Sequence, residues 1–355
     1  MSKIRFAVAG TGWRSLFYVR AAKWLPELFE LTGVLCRTKD RARKYAGEHG
    51  VKTFHTLDAL LETQPEFVVS CVSKAGMADM IKSLLERGMP VLSETPYALD
   101  VDTLRELHVL QRDTGVLLDL AEQYFLYPSH QARRAVVGSG LLGDVVSCQL
   151  SAMHDYHGIS MLRAYLGEER GCVTIRARKV KTPIVVTGDR SGYLTDGEMG
   201  EETRTFAHFD YEDGRLGLYD FAGTQYHSAI RSNHVRILGT RGEAFDDTVR
   251  YLGEDNRPLV ETFVYHRDLV TGTIRSIDFA GECVFKNPFP TDVAMNEDEI
   301  AVSQVLCRMG DAVRGGARHY PLEYGMADCY LSILMHRAAD SREILVSQPL
   351  QPQIP

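Results

Sequence analysis

The chain has 355 residues, which at roughly 100–200 residues per domain suggests two domains, or three small ones. Its 40 Lys and Arg against 47 Asp and Glu leave a formal charge of −7, with 45% hydrophobic and 25% charged residues. That balance excludes a chain dominated by disorder. It also argues against broad nucleic-acid binding, which needs a basic surface to displace counterions.

Ile4–Ala9 is an apolar run ending at Gly10, and Leu16, Phe17, Val19 and Ala22 follow at helical spacing. Leu31–Cys36 reads as a second strand. Lys39–His49 reads as a polar helix stopped by Gly50, and Thr56 as the N-cap of a helix carrying Leu57, Leu60 and Leu61. Phe67–Val72 is continuously apolar, as in a strand buried on both faces of a parallel sheet. Met77–Arg87 and Asp102–Thr114 read as helices, Pro90–Ser93 and Val116–Ala121 as strands. This alternation predicts an α/β doubly wound parallel sheet over 1–124.

The rhythm then breaks. A helix at Ser129–Gly138, a strand at Val145–Ala152 and a helix at Ile159–Leu166 follow. From Thr203 to Phe279, strands separated by polar Gly turns predict a large, mostly antiparallel open sheet. The close is helical over Asn296–Arg314 and Tyr324–Ala339, with a frayed tail at Gln348–Pro355. The second domain is therefore expected over 125–355. The start shows no apolar leader, and no stretch reaches the ~18 residues of a spanning helix, so no membrane role is expected. Seven scattered cysteines without a CxxC pair read as buried thiols of a cytoplasmic protein.

Gly10-Thr11-Gly12-Trp13-Arg14-Ser15 lies between the first strand and first helix. There, glycines permit a tight turn and a close approach of a dinucleotide pyrophosphate. Ser15 replaces the usual third small residue. At the end of the second strand, where a carboxylate would hold the adenosine ribose, the chain has Cys36-Arg37-Thr38. A guanidinium there suits a 2′-phosphate, which favours NADP over NAD, although Arg37 stacked on adenine would serve either.

The glycine turn, Ser93-Glu94-Thr95-Pro96, the Gly138–Val145 stretch with a His-bearing helix beyond it, and Asn296-Glu297-Asp298-Glu299 recur in the order of a known family. The chain resembles, over nearly its whole length, the Gfo/Idh/MocA family (glucose–fructose oxidoreductase, inositol 2-dehydrogenase, rhizopine catabolism). The resemblance implies a Rossmann domain and a second α/β domain that often mediates oligomerisation, here a homodimer or homotetramer. It also implies NAD(P)-dependent chemistry on a small, carbohydrate-like substrate. It carries over Glu94, Thr95 and Gln123 to the cofactor site, and His157 to the catalytic position; Val72 and Ser73, at the end of the strand Phe67–Val72, face the cofactor from their loop.

Two departures stand out. Thr95 occupies the position of the family's Glu-Lys-Pro lysine, and an alcohol is a poor acid and base at neutral pH. Around His157, in Met153-His154-Asp155-Tyr156-His157-Gly158-Ile159-Ser160, the family's two Asp positions are Met153 and Ser160. Hydride transfer needs a group that exchanges a proton with the substrate oxygen, so His157 stands first, then His154. Asp155 would orient either ring, and Tyr97, Tyr124 and Tyr156 are reserves. Two histidines and one Asp at this spacing are not a specific metal set. Gln225-Tyr226-His227 would line the cleft, with His227 the residue singled out. Two rival activities fit the same residues: a redox-neutral sugar epimerase or glycoside-cleaving enzyme with retained NAD(H), and a dinucleotide-binding sensor without turnover.

Overall fold

A computed structural model describes residues 2–167 and 171–349; residues 350–355 of the tail expected to fray lie outside them. The chain divides into two units. The first is Met1–Pro128, Arg267–Ile274 and Asn287–Cys329; the second is Ser129–His266, Arg275–Lys286 and Tyr330–Pro355.

In the first unit six parallel strands lie in the order β3-β2-β1-β4-β5-β6: β1 Ile4–Ala9, β2 Phe29–Leu35, β3 Thr53–Phe54, β4 Phe67–Ser70, β5 Val91–Ser93 and β6 Leu118–Leu120. This is the dinucleotide-binding strand order, with its switch point between β1 and β4. The apolar runs are the cause. Phe6 to Ala9 and Phe67 to Val69 are fully buried. The register sets Phe6 beside Phe67, with their rings 5.9 Å apart. Between the strands run α1 Ser15–Trp24, α2 Lys39–His49, α3 Leu57–Leu61, α4 Met77–Leu85 and α5 Val101–Thr114. Thr38, Thr56 and Asp100 cap α2, α3 and α5, each side chain accepting a backbone N–H three residues on.

The contiguous division at residue 124 does not describe this arrangement. The later helices are α6 Pro128–Gly138, α7 Asp155–Leu166, α8 Glu297–Val313 and α9 Leu322–Ser341. Of these, α8 belongs to the first unit. Gly310 of α8 lies so close to Ile4 that a Cβ there would come within 2.5 Å of its side chain. Arg314 donates to the carbonyls of Ser2 and Lys3 and pairs with Glu66.

In the second unit a nine-stranded sheet runs Pro258–Thr262, Thr248–Leu252, Gly242–Phe245, His234–Gly239, Val145–Ser151, Leu216–Ala222, Met199–Tyr211, Val173–Val185, Leu345–Val346. Only the Val145–Ser151 and Leu216–Ala222 pair is parallel. The expected sheet began at Thr203. Val173–Val185, missing from that expectation, is rich in Arg, Lys and Thr and mostly solvated, so it carries little apolar alternation. Helix α7 packs on the sheet, and Gly158 is needed there, because a Cβ would meet the Tyr219 ring at 2.5 Å. This helix begins at Asp155, four residues before the expected Ile159, which puts His157 in its first turn. Among the described residues no helix is long and apolar enough to cross a membrane.

Candidate active site

In the first unit a cleft of about 720 Å³ is lined by the turn Gly10–Arg14, by Leu35, Cys36 and Arg37 after β2, by His55 and Leu57, and by residues after β4, including Cys71, Val72 and Ser73. Gly10 has φ +116°, and a Cβ on it would lie 2.4 Å from the Cys71 carbonyl. The glycine is thus what lets β1 turn beside β4. Gly12 differs: a Cβ there would meet nothing within 4 Å, so its bare backbone borders open space. A pyrophosphate fits such a surface.

The donors for a phosphate lie in the turn rather than in α1 proper. The Gly10 N–H is bonded to Leu35, and those of Ser15, Leu16 and Phe17 are bonded to Gly12, Trp13 and Arg14. The Ser15 hydroxyl donates to the Gly12 carbonyl at 2.6 Å and lies 2.9 Å from the Tyr45 hydroxyl of α2. It therefore ties turn to helix, which explains a Ser where Gly or Ala is usual. Thr38 caps α2 and is not a lining residue. Arg41, which sequence reasoning missed, donates to the Thr11 hydroxyl and carbonyl at 3.2 Å each. Its signal was its place on α2, three residues after the cap.

Arg14 lines the cleft, but its charge is engaged elsewhere. Nε donates to Glu94 and Nη1 to Asp298, both at 2.8 Å, and the Tyr18 hydroxyl donates to the same Glu94 oxygen at 2.5 Å. Burial alone would lower the Arg14 pKa; Asp298 and Glu94 outweigh it and hold the guanidinium charged. Burial, followed by the Glu94 charge, raises Tyr18, so its hydroxyl stays a donor. Three segments that the sequence set apart, the glycine turn, Glu94 and Asp298, thus meet in one ionic cluster. The capping box of α8, Asn296 with Glu299, fixes the last of them, and Glu299 also pairs with Arg20.

Other expected residues fall away from the cleft. Glu94 is buried in this cluster, and Thr95 stands before a cis Pro96. Tyr97 is fully buried beside Gly325; burial raises its pKa well above the ordinary range, so it is a core residue. Gln123 is buried too, its Oε1 without a hydrogen-bond partner among the described residues.

The second unit gathers the histidines. The His154 Nδ1 lies 2.6 Å from the Tyr226 hydroxyl and Nε2 lies 3.2 Å from the Tyr156 hydroxyl. His157 is only 6% exposed, its ring 4.9 Å from His154 and 4.6 Å from Tyr156. Asp155, at φ +47°, accepts from His336 at 2.8 Å and donates its N–H to the Tyr219 hydroxyl. Asp155 therefore pairs with His336, which the sequence did not suggest. Tyr226, not the exposed His227, joins the cluster. Among the described residues no group of three or more His, Cys, Asp or Glu is arranged to hold a metal ion.

The parallel sheet, the glycine turn and the open cleft beside it are those of an NAD(P)-dependent oxidoreductase. Residues 4–121 match the family described as "Oxidoreductase family, NAD-binding Rossmann fold". The match spans the N-terminal third of the chain, which there is similar to the Gfo/Idh/MocA family of oxidoreductases. The scyllo-inositol 2-dehydrogenase (NADP(+)) IolU of Bacillus subtilis (strain 168) is 24% identical over 264 residues, 69% of this chain and 76% of that one. A dTDP-3,4-didehydro-2,6-dideoxy-alpha-D-glucose 3-reductase of Actinomadura kijaniata is 27% identical over 34% of this chain and 36% of its own. Two solved structures share the fold. An oxidoreductase from Agrobacterium radiobacter in complex with NAD+, L-tartaric acid and magnesium has TM-score 0.69 and 14% identity, covering 97% of this chain and 98% of that one. The apo scyllo-inositol dehydrogenase from Lactobacillus casei has TM-score 0.68 and 14% identity, covering 98% of each chain.

Proposed function

We propose that this oxidoreductase exchanges a hydride between NADP(H), in preference to NAD(H), and a hydroxyl or carbonyl of a small polyol such as a cyclitol or sugar. The observation that carries the reading is the cleft at the glycine turn, with Arg37 rather than a carboxylate at its β2 side. The relative that acts on scyllo-inositol with NADP(+) supports the same choice. When bound, the nicotinamide supplies the hydride acceptor or donor. The turn 10–14 would hold the pyrophosphate, and Arg37 the 2′-phosphate.

We take Thr95 to stand where relatives carry the Glu-Lys-Pro lysine. Proton exchange then falls to the imidazoles of His154 and His157. Trp13 lines the cleft and is 53% exposed, so its fluorescence reports occupancy. Titration with NADPH and NADH is expected to quench it, NADPH at the lower concentration, and scyllo-inositol with NADP+ is expected to yield reduced coenzyme. No quenching by any of the four pyridine nucleotides would overturn the reading.

A further inference from the structure

On its β2 side the cleft at the glycine turn is walled by basic groups from two strands. The register sets Thr53 and Phe54 of β3 beside Val34 and Leu35 of β2, and the Cys36 N–H donates to the Phe54 carbonyl at 2.7 Å. His55 therefore leaves β3 next to Cys36 and Arg37, and all three line the cleft. The His55 backbone is held from both ends. Phe54 packs so tightly on Gly33 that a Cβ there would meet its ring at 2.4 Å, and Thr56 caps α3 by accepting the Ala59 N–H. The His55 side chain, in contrast, is exposed and makes no hydrogen bond or ion pair among the described residues; the same holds for Arg37. A fixed backbone under a side chain left open is what a binding residue needs.

Arg41 adds a third basic group. It stands in the first turn of α2, where the helix dipole disfavours a positive charge. Its Nε and Nη2 donate to the Thr11 hydroxyl and carbonyl, and the Tyr45 ring offers it a face at 5.6 Å, but among the described residues no carboxylate pairs with it. Burial raises the Cys36 thiol pKa, and the Arg41 charge opposes that rise, so the field of Arg41 reaches the cleft wall. The lining of the cleft contains no Asp or Glu. The acids in the first turns of α2 and α3, Asp40 and Asp58, pair with Arg43 and Arg87. Two guanidiniums and an imidazole gathered without a counter-charge make a place for a multiply charged anion.

We infer that Arg37 and His55 share the 2′-phosphate of NADP(H), and that Arg41 joins this subsite to the glycine turn. The inference rests on the NADP reading above. A phosphate monoester carries a charge of roughly −1.5 to −2 and three strong acceptor oxygens, so one guanidinium leaves acceptors that an imidazole N–H can meet. His55 is thus a specificity-determining residue, because a bare ribose hydroxyl offers it no charge. Arg41 is a positioning residue that acts through Thr11. A dianion at the 2′ subsite offsets its charge, and its two bonds then hold the Thr11 backbone where the turn meets the pyrophosphate. Occupancy of the 2′ subsite therefore tightens the hold on the pyrophosphate.

The test uses the full chain and calorimetric titration with NADPH, NADH, adenosine 2′,5′-bisphosphate and adenosine 5′-monophosphate. His55→Ala is expected to weaken NADPH and the bisphosphate about tenfold and to leave NADH and the monophosphate as in the wild type. His55→Lys, which restores a charged donor, is expected to recover most of that loss. Arg41→Met is expected to weaken NADPH about tenfold and NADH by no more than about threefold. Should that variant fail to fold, Arg41→Gln, which keeps a donor for Thr11 without the charge, carries the same expectation. A wild-type ratio of NADPH to NADH affinity in H55A overturns the role of His55. Equal weakening of both coenzymes by the Arg41 variant overturns the link through Thr11, since a merely structural role would cost both alike. Either result leaves the oxidoreductase reading standing. A wild type that prefers NADH, or binds no pyridine nucleotide, overturns the reading above and this inference with it.

Discussion

In the first unit Arg14 is clamped between Glu94 and Asp298, with side-chain exposures of 17%, 11% and 18%. In the second unit His154, Tyr156 and Tyr226 meet through an imidazole and two hydroxyls, with Tyr226 open to solvent. The first cluster is made of a guanidinium ion-paired with two carboxylates, and it holds the glycine turn to Glu94 and to α8. The second is made of groups whose protons can sit on either side of each bond. Ion pairs therefore fix the one region, and hydrogen bonds among neutral groups the other.

Stability is where the two clusters should differ most. Arg14→Met leaves two carboxylates buried without their cation, a loss of about 3–5 kcal/mol in urea unfolding, whereas Tyr226→Phe should cost no more than about 1 kcal/mol. Equal losses would erase the distinction. Acid sharpens it next. Burial, with Arg308 nearby, pushes His319 of the first unit down to about 3, and burial also pushes His130 of the second unit well below its ordinary value. Both folded values lie below the unfolded one, about 6.5. The unfolded chain thus takes up protons that the folded one refuses. Stability is complete above pH 6.5 and falls as pH drops toward 3, by up to about 1.4 kcal/mol per pH unit for each histidine. Unfolding at pH 7 and pH 5 measures the slope.

Gly10→Ala is a smaller perturbation, about 1–3 kcal/mol from backbone strain at φ +116°. It should also weaken coenzyme binding, because the turn must move off Cys71. The smallest effect belongs to Arg37→Ala. Its exposed side chain should leave stability unchanged while NADPH affinity drops about tenfold or more and NADH affinity holds, as for loss of one charge-assisted hydrogen bond.

The parallel sheet was legible because Phe6–Ala9 and Phe67–Val69 are apolar without interruption, and Thr56 announced its helix as the expected N-cap. The glycine turn was legible because its residues act through the backbone, in sequence order. The Arg14 cluster was not, since its partners stand 80 and 284 positions away and each segment alone reads as an ordinary polar surface. Tyr226 was named with its neighbours but passed over for a local reason. Alternation along a strand singled out His227, but the chain leaves the strand at Ala222 and coils through Gly223–Tyr226, which turns Tyr226 to His154. The bond from Asp155 to His336 could not be read from the sequence, since the two stand 181 positions apart.

The bond from Arg14 to Asp298 has a bearing on how the protein is made. On the ribosome the six parallel strands emerge first, yet the anchors of their glycine turn and of β1 arrive with α8, long after β6. The nascent first unit must wait, incomplete, until α8 has been made. A fragment ending at residue 128, though it contains every strand of that sheet, should not fold to a stable body without α8 supplied as a separate peptide.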